Sequence, residues 1–237
     1  DLLVVGWLAS RGRPNPPKLV YEVADIREIL LSKGMAGCTL RWLERFILHY
    51  VYMLVVTSPA YVDHYFHGIQ ASYHLPVQVI ENKLLLSEIP QKPATMKLVE
   101  KEDETIIIGY FGLIRCRRSW EVLKQLVKQG KGHFRVYIRG SISDSLHDMR
   151  EEIRQTEYVD FEGPYTRDDL FDMYNRVDLS WIAHYTHGLQ WQWARANRFY
   201  EACYFKRPMI AQVGTQDGLV VDQLGLGVNI DLLDVER

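Results

Sequence analysis

The sequence predicts an α/β protein of two domains, each built on a parallel sheet. Apolar runs of strand length alternate with helical patterns along the chain, which is typical of βαβ units. A proline-bearing and then charged stretch, residues 87–104, interrupts this alternation and predicts a linker. The 47% hydrophobic and 24% charged composition suits sizeable cores. We therefore expect one domain over residues 1–100, a second over 101–237, and ligand binding in a cleft where strand carboxyl ends face it.

The elements of the first domain follow from local composition. Short apolar runs predict strands at residues 2–5, 19–23, 53–57 and 77–80. Between them, apolar side chains on one face predict a helix over residues 40–52. Ser58-Pro59 is a typical helix start and predicts another helix after it.

The second domain repeats the pattern. Strands are predicted at residues 105–112, 134–138, 159–161, 178–182 and 209–211. Helices are predicted at residues 120–128, 146–156, 168–175, 198–205 and 220–224. Thr166 is the expected cap of the helix over 168–175.

Bulk properties exclude several classes of protein. A net charge of −2 argues against a dedicated nucleic-acid binder. The three cysteines are far apart and odd in number, which favours reduced thiols in the cytosol over disulfides or a metal site. The longest apolar run, residues 46–56, is shorter than the roughly 20 residues that span a bilayer. The chain lacks an initiator Met and a basic leader, so we expect it to be part of a longer protein.

A loop rich in glycine and arginine follows the first strand of the second domain. Gly112 permits close approach of a ligand to the backbone, and Arg115 and Arg118 flank the start of the next helix. A helix N-terminus beside arginines suits a diphosphate. A solvated basic loop explains the same pattern equally well.

The segment 197–202 offers a carboxylate on a helix. Glu201 can accept two hydrogen bonds from a diol such as a ribose. The alternative, favoured when the residue is taken alone, is that it complements the helix dipole in the first turn. Asn197 is expected to be the N-cap of this helix.

Other loops carry weaker indications. Gly163-Pro164-Tyr165 predicts a turn, and the alternative to a purely structural turn is that its backbone groups hold a base or ribose. His184 and His187 follow a strand, but no third ligand has metal spacing, and the neighbouring tryptophans favour packing.

Two features of the first domain have alternative interpretations. Asp25 ends a strand and is either an N-cap or a substrate ligand. The helical stretch 39–52 is a core helix or, alternatively, contacts a membrane surface peripherally.

In this order, these segments resemble the large family of retaining nucleotide-sugar glycosyltransferases of the GT-B fold, often called glycosyltransferase family 4. The match extends over most of the chain, and Asn197-Arg198-Phe199-Tyr200-Glu201-Ala202 resembles the family's donor site. The other matching segments are residues 19–25, 55–58, 79–82, 112–118 and 161–179.

The resemblance implies transfer of a sugar from a nucleoside diphosphate sugar to a glycan or lipid-linked acceptor, without metal or cofactor. It assigns catalysis to Arg115, Arg118 and Asp25, and places Ser58 on the acceptor side, in residues 1–100. Donor binding is assigned, in residues 101–237, to Gly112, Gly163, Gly188, Leu189, Asn197, Arg198 and Glu201. It also implies a cytoplasmic protein at the inner face of the membrane.

The sequence departs from the family pattern in two places. Where the family has the first of two glutamates, this chain has Trp193. Where the family often has a histidine before the aspartate, this chain has Ala24. These departures, with an N-terminal domain that lacks the family's first strand, keep two alternatives open. One is a non-catalytic or partner-dependent nucleotide-binding subunit, and the other is a nucleotide-sugar epimerase.

Overall fold

The computed structural model describes residues 2–11, 13–85, 87, 104–185 and 188–233. The chain folds into two compact units, one of Asp1–Asn82 with His187–Arg195 and one of Lys83–Thr186 with Ala196–Arg237. Most of the predicted linker, and the predicted boundary after residue 100, lie outside the described residues. Within the described part of the chain, no helix is long and apolar enough to cross a membrane.

Strands and helices alternate in both units. The strands are β1 (Leu19–Val23), β2 (Val51–Val56), β3 (Val77–Val79), β4 (Ile106–Phe111), β5 (Phe134–Arg139), β6 (Val159–Gly163), β7 (Leu179–Trp181), β8 (Met209–Gln212) and β9 (Gly227–Ile230). The helices are α1 (Leu2–Ser10), α2 (Glu28–Leu31), α3 (Met35–Leu48), α4 (Arg117–Gly130), α5 (Met149–Gln155), α6 (Leu170–Asn175), α7 (Leu189–Trp193), α8 (Asn197–Tyr204) and α9 (Gln216–Leu224). A π-helix covers Tyr61–Ile69, and short 3-10 turns cover Asp144–Leu146 and Arg167–Asp169.

The first unit is a parallel sheet in the order β1-β2-β3, covered by helices. Leu54 and Val56 of β2 are fully buried, as are Ile47 and Leu48 at the end of α3. These side chains share one apolar cluster, to which α7 contributes Trp193. A segment that follows β7 in the chain therefore completes the core of the first unit.

The second unit is a six-stranded parallel sheet in the order β6-β5-β4-β7-β8-β9. Successive strands run outward from β4 in one direction and from β7 in the other, so the strand order reverses between β4 and β7. In open α/β sheets, ligands bind at the carboxyl ends of the strands beside such a reversal. Helices cover both faces, with Trp120 of α4 in one core cluster and Phe205, after α8, in another.

The α/β fold class and the parallel sheets are confirmed, as is Thr166 as the N-cap before α6. The strand predicted at residues 2–5 is wrong, because these residues begin α1. Residues 2–9 are apolar throughout, so they show neither a period of two nor one of 3.6. The helix predicted to residue 52 stops at Leu48, and β2 begins inside the same apolar run, which only His49 interrupts.

Candidate functional site

Three glycines lie side by side at the carboxyl ends of neighbouring strands in the second unit. Gly112 follows β4, Gly140 follows β5, and Gly163 ends β6, with φ angles of 95°, 140° and 77°. The amide of Gly112 donates to the carbonyl oxygen of Arg139 (2.9 Å), and that of Gly140 donates to Gly163 (2.7 Å). This edge of the sheet therefore presents bare backbone in a conformation that glycine adopts readily.

The space around these glycines differs. A Cβ on Gly140 would lie 1.7 Å from the carbonyl oxygen of Gly112, so no side chain fits there. Among the described residues, a Cβ on Gly163 would meet nothing within 4 Å, and one on Gly112 would meet only the Tyr165 hydroxyl at 4.0 Å. The backbone at Gly112 and Gly163 thus faces open space that a ligand can occupy.

Helix α8 brings two predicted site residues to this edge. Arg198 donates from Nη1 to the carbonyl oxygen of Phe111 (3.2 Å), the last residue of β4. Its guanidinium carbon lies 5.4 Å from the ring centroid of Tyr110. A fixed cation therefore stands next to Gly112.

Glu201 is buried on the same helix, and the Tyr174 hydroxyl donates to its Oε2 atom (2.9 Å). Burial raises the pKa of Glu201, while the bond from Tyr174 and the charge of Arg198 oppose that rise. Glu201 is the fifth residue of α8 and lies beyond the first turn of 3.6 residues. The helix-dipole alternative for this residue is therefore wrong.

Asn197 is exposed and is the first residue of α8, not its N-cap. The N-cap is Ala196, whose amide donates to Oδ2 of the buried Asp217 (3.1 Å). A carboxylate from α9 thus accepts the hydrogen bond at this helix start, and only a tertiary contact reveals it. Sequence reasoning missed Asp217 for that reason.

The start of α4 lies at the reversal of strand order. Cys116 is its N-cap, and its Sγ atom accepts from the amides of Ser119 (3.4 Å) and Tyr185 (3.1 Å). Tyr185 follows β7. The Cys116 sulfur therefore connects the predicted diphosphate loop after β4 to the segment after β7, the two strands between which the strand order reverses. Arg118 donates to the carbonyl oxygen of Leu232 (3.3 Å) and lies 4.8 Å from the Tyr185 ring centroid.

The three neighbouring arginines differ in their surroundings. Arg117 forms an exposed ion pair with Asp148 (2.7 Å). Arg115 is exposed in the loop before α4. Arg115 and Arg118, the two arginines selected from the sequence, therefore lie before and within the first turn of α4.

The predicted residues of the first unit make contacts of their own. Asp25 is exposed just after β1, where its Oδ1 lies 3.4 Å from the Tyr61 hydroxyl. Ser58 is buried after β2 and donates from Oγ to the carbonyl oxygen of Trp193 (2.5 Å). Each follows the carboxyl end of a strand in its sheet.

Gly188 and Leu189 belong to the first unit, not to the one that carries the other predicted donor residues. Gly188 is the N-cap of α7, and Leu189 is 44% exposed. His187 lies outside the described residues. In the described ranges, no three His, Cys, Asp or Glu side chains are placed to hold a metal ion.

The sequence is similar to that of a curated protein of polysaccharide biosynthesis. It is 30% identical over 223 residues to the succinoglycan biosynthesis protein ExoL of Rhizobium meliloti (strain 1021), a match that covers 92% of this chain and 55% of ExoL. The chain thus spans little more than half of that curated relative. No protein-family model matches it.

Two solved structures share its fold. HepE of Anabaena in complex with UDP has a TM-score of 0.73 and 16% identity, covering 97% of this chain and 62% of that one. Sucrose-phosphate synthase of Thermosynechococcus elongatus has a TM-score of 0.70 and 15% identity, covering 99% and 60%. With parallel α/β sheets in both units, the chain has the fold of the GT-B glycosyltransferases.

Proposed function

We propose that this protein is a retaining, family 4-like glycosyltransferase. It moves a sugar from a nucleoside diphosphate sugar to a glycan or lipid-linked acceptor. The observation that carries the proposal is the placement of Arg198 and buried Glu201 beside the open backbone of Gly112 and Gly163. The names of similar proteins support it, since ExoL acts in succinoglycan biosynthesis and HepE was solved with UDP-glucose.

The nucleotide lies along the carboxyl edge of the second unit in this proposal. Glu201 accepts hydrogen bonds from the ribose hydroxyls, which are stronger for a charged acceptor. Gly112 and Gly163 leave room for the ligand next to the backbone, and Arg198 supplies positive charge beside Gly112. Asn197, at the exposed start of α8, contributes to the same pocket.

The arginines near α4 stabilise the leaving group. The acceptor oxygen attacks the anomeric carbon on the face from which the diphosphate leaves, and the acceptor proton passes to a leaving phosphate oxygen. No protein nucleophile or metal takes part, since Arg115, Arg118 and the N-terminal amides of α4 offset the charge that builds on the diphosphate. Loss of one main cationic contact would remove about 2–4 kcal/mol of transition-state stabilisation.

The first unit serves the acceptor side. Asp25 is exposed at the end of β1 and accepts a hydrogen bond from the acceptor hydroxyl in this proposal. Ser58 supports it by fixing the segment after β2 to α7, at whose start Gly188 and Leu189 lie. Gly188 and Leu189 keep their predicted part in donor binding in this proposal, although they belong to the first unit.

In this proposal a lipid-linked acceptor brings the protein to the inner face of the membrane, on the cytoplasmic side. Trp42 and Phe46 of α3 support peripheral contact, since they are 67% and 40% exposed and stack 6.2 Å apart. Arg41 and Arg45 lie on the same helix. Aromatic and basic side chains on one helix suit a lipid interface.

The first experiment is nucleotide binding by the wild type, Glu201→Gln and the control Glu157→Gln, which changes an exposed carboxylate before β6. Thermal unfolding is followed with UDP, GDP, ADP and CMP, then affinity by calorimetry. A nucleotide at 100 times its dissociation constant adds about 2.7 kcal/mol of stability. We expect stabilisation by one nucleotide, about tenfold weaker binding in Glu201→Gln because the charged acceptor is lost, and no change in the control.

The outcomes separate the alternatives. If none of the four nucleotides stabilises the wild type, the proposal is contradicted. Nucleotide binding without transfer to any acceptor favours the non-catalytic or partner-dependent subunit. Trp193 and Ala24, which depart from the family pattern, support that alternative. Interconversion of free nucleotide sugars without acceptor identifies an epimerase.

A further inference from the structure

The hydroxyl of Tyr165 stands beside the open backbone of Gly112. A Cβ placed on Gly112 would have this oxygen at 4.0 Å and, apart from its chain neighbours, no other heavy atom of the described residues within 4 Å. Across the described ranges, no group makes a hydrogen bond with the Tyr165 hydroxyl, although its ring packs against the core cluster around Tyr174. A polar atom so placed is available to a ligand that approaches Gly112.

The loop that carries Tyr165 is anchored on both sides. Before it, Arg139 donates from Nε to the carbonyl oxygen of Gly163 (3.3 Å) and from Nη2 to that of Pro164 (3.2 Å). After it, the amide of Thr166 donates to Oδ2 of Asp169 (2.7 Å). The position of Tyr165 is thus set before a ligand binds, which lowers the entropy lost on binding.

The charges near Tyr165 indicate which part of a nucleotide it meets. Burial and the nearby Glu201 carboxylate together raise the pKa of Tyr165 to about 12, against the opposing charges of Arg198 and Arg139. The phenol therefore stays protonated near neutral pH and can donate. A phosphate next to Glu201 would be repelled, whereas a ribose hydroxyl is neutral and can both donate to Glu201 and accept from Tyr165.

We propose that Tyr165 is a specificity-determining residue that donates a hydrogen bond to a ribose hydroxyl of the bound nucleotide, alongside Glu201. This inference rests on the proposed function and names a contact beyond it. Glu201 can only accept when ionised, so a neighbouring donor completes recognition of a group that is both donor and acceptor. A site built this way discriminates against a sugar that lacks the hydroxyl, because its polar groups then remain unpaired.

The test compares the wild type with Tyr165→Phe, and with the control Tyr158→Phe before β6 in the same unit. Affinities for UDP, 2′-deoxy-UDP and 3′-deoxy-UDP are measured by calorimetry. We expect Tyr165→Phe to weaken UDP binding about fivefold to tenfold, and to have no effect on the deoxynucleotide that lacks the contacted hydroxyl. Tyr158→Phe should match the wild type for all three ligands.

Two results overturn the inference while the proposed function stands. One is unchanged UDP affinity in Tyr165→Phe, and the other is an equal loss for UDP and both deoxynucleotides. Failure of the wild type to bind UDP, GDP or ADP overturns the proposed function and this contact with it. Thermal unfolding of Tyr165→Phe without ligand confirms that the variant is folded.

Discussion

Glu44 in the first unit and Glu201 in the second are both buried glutamates, but their surroundings differ. The carboxylate of Glu44 accepts hydrogen bonds from the hydroxyls of Tyr21 (3.1 Å) and Tyr65 and from the side-chain amide of Gln70. All of these donors belong to the first unit. Glu44 is thus satisfied internally, which is typical of a structural buried acid.

Glu201 differs from Glu44 in the groups that donate hydrogen bonds to its carboxylate. Tyr174 donates to it, and the edge beside α8 is bare glycine backbone with open space in front. Burial raises the pKa of both glutamates, so neither that shift nor burial alone distinguishes structure from function. The two glutamates are distinguished instead by the number of internal hydrogen-bond donors to each and by the open backbone near Glu201.

The largest expected effect is on folding of the first unit. Glu44→Ala leaves the buried donors of Tyr65 and Gln70 and the part-buried Tyr21 hydroxyl without their acceptor, and each unmet buried group costs about 1–3 kcal/mol. We expect the free energy of unfolding to fall by about 3 kcal/mol or more, measured by urea denaturation. Glu201→Ala, which leaves one donor unmet, should cost about 1 kcal/mol. Equal losses in the two variants would contradict the distinction.

A second effect concerns pH and Glu44. Burial raises the pKa of Glu44 above its ordinary value of 4.5, so this group contributes stability below pH 4.5 that is lost as pH rises through the raised pKa. The loss is about 1.4 kcal/mol per pH unit between the two pKa values. In Glu44→Gln this loss should disappear, so the difference in urea midpoint between wild type and variant should change from pH 4 upward. A constant difference across that range would argue against a buried neutral acid.

The smallest expected effect separates two tyrosines. Tyr174→Phe and Tyr65→Phe each remove one hydrogen bond to a buried glutamate, worth about 1 kcal/mol of stability. Only Tyr174→Phe should also weaken nucleotide binding, by about threefold, because the Glu201 carboxylate loses the bond that orients it. Calorimetry with the nucleotide that stabilises the wild type measures this. If Tyr65→Phe weakened nucleotide binding as much as Tyr174→Phe, the distinction between the two glutamates would be contradicted.

Much of the second unit could be predicted from the sequence because its signals are local. The glycine after β4, the cap at Thr166 and the apolar face of α4 are each encoded within a few residues. The contacts of Asp217 and Tyr165 could not be predicted, since they depend on α9 and the turn after β6 meeting distant strands and helices. Composition and spacing do not reveal such contacts.

In the first unit, the continuous apolar sequence hid the boundaries. Residues 46–56 are apolar except at His49, so helix α3 and strand β2 could not be separated by periodicity. The placement of α7 was equally hidden, because its Leu-Gln-Trp-Gln-Trp sequence favours packing without naming the partner. Only the fold assigns Trp193 to the core around Leu54.

The path of the chain through α7 has a consequence for how the protein is made. Trp193 packs in the core of the first unit, yet the ribosome synthesises it after β4 to β7 of the second. Domains generally fold from the N-terminus during synthesis, but this core must wait for a segment made more than 100 residues after β3. A nascent chain that stops before residue 193 leaves Ser58 without its backbone acceptor, so release of a shortened chain would yield a first unit prone to association.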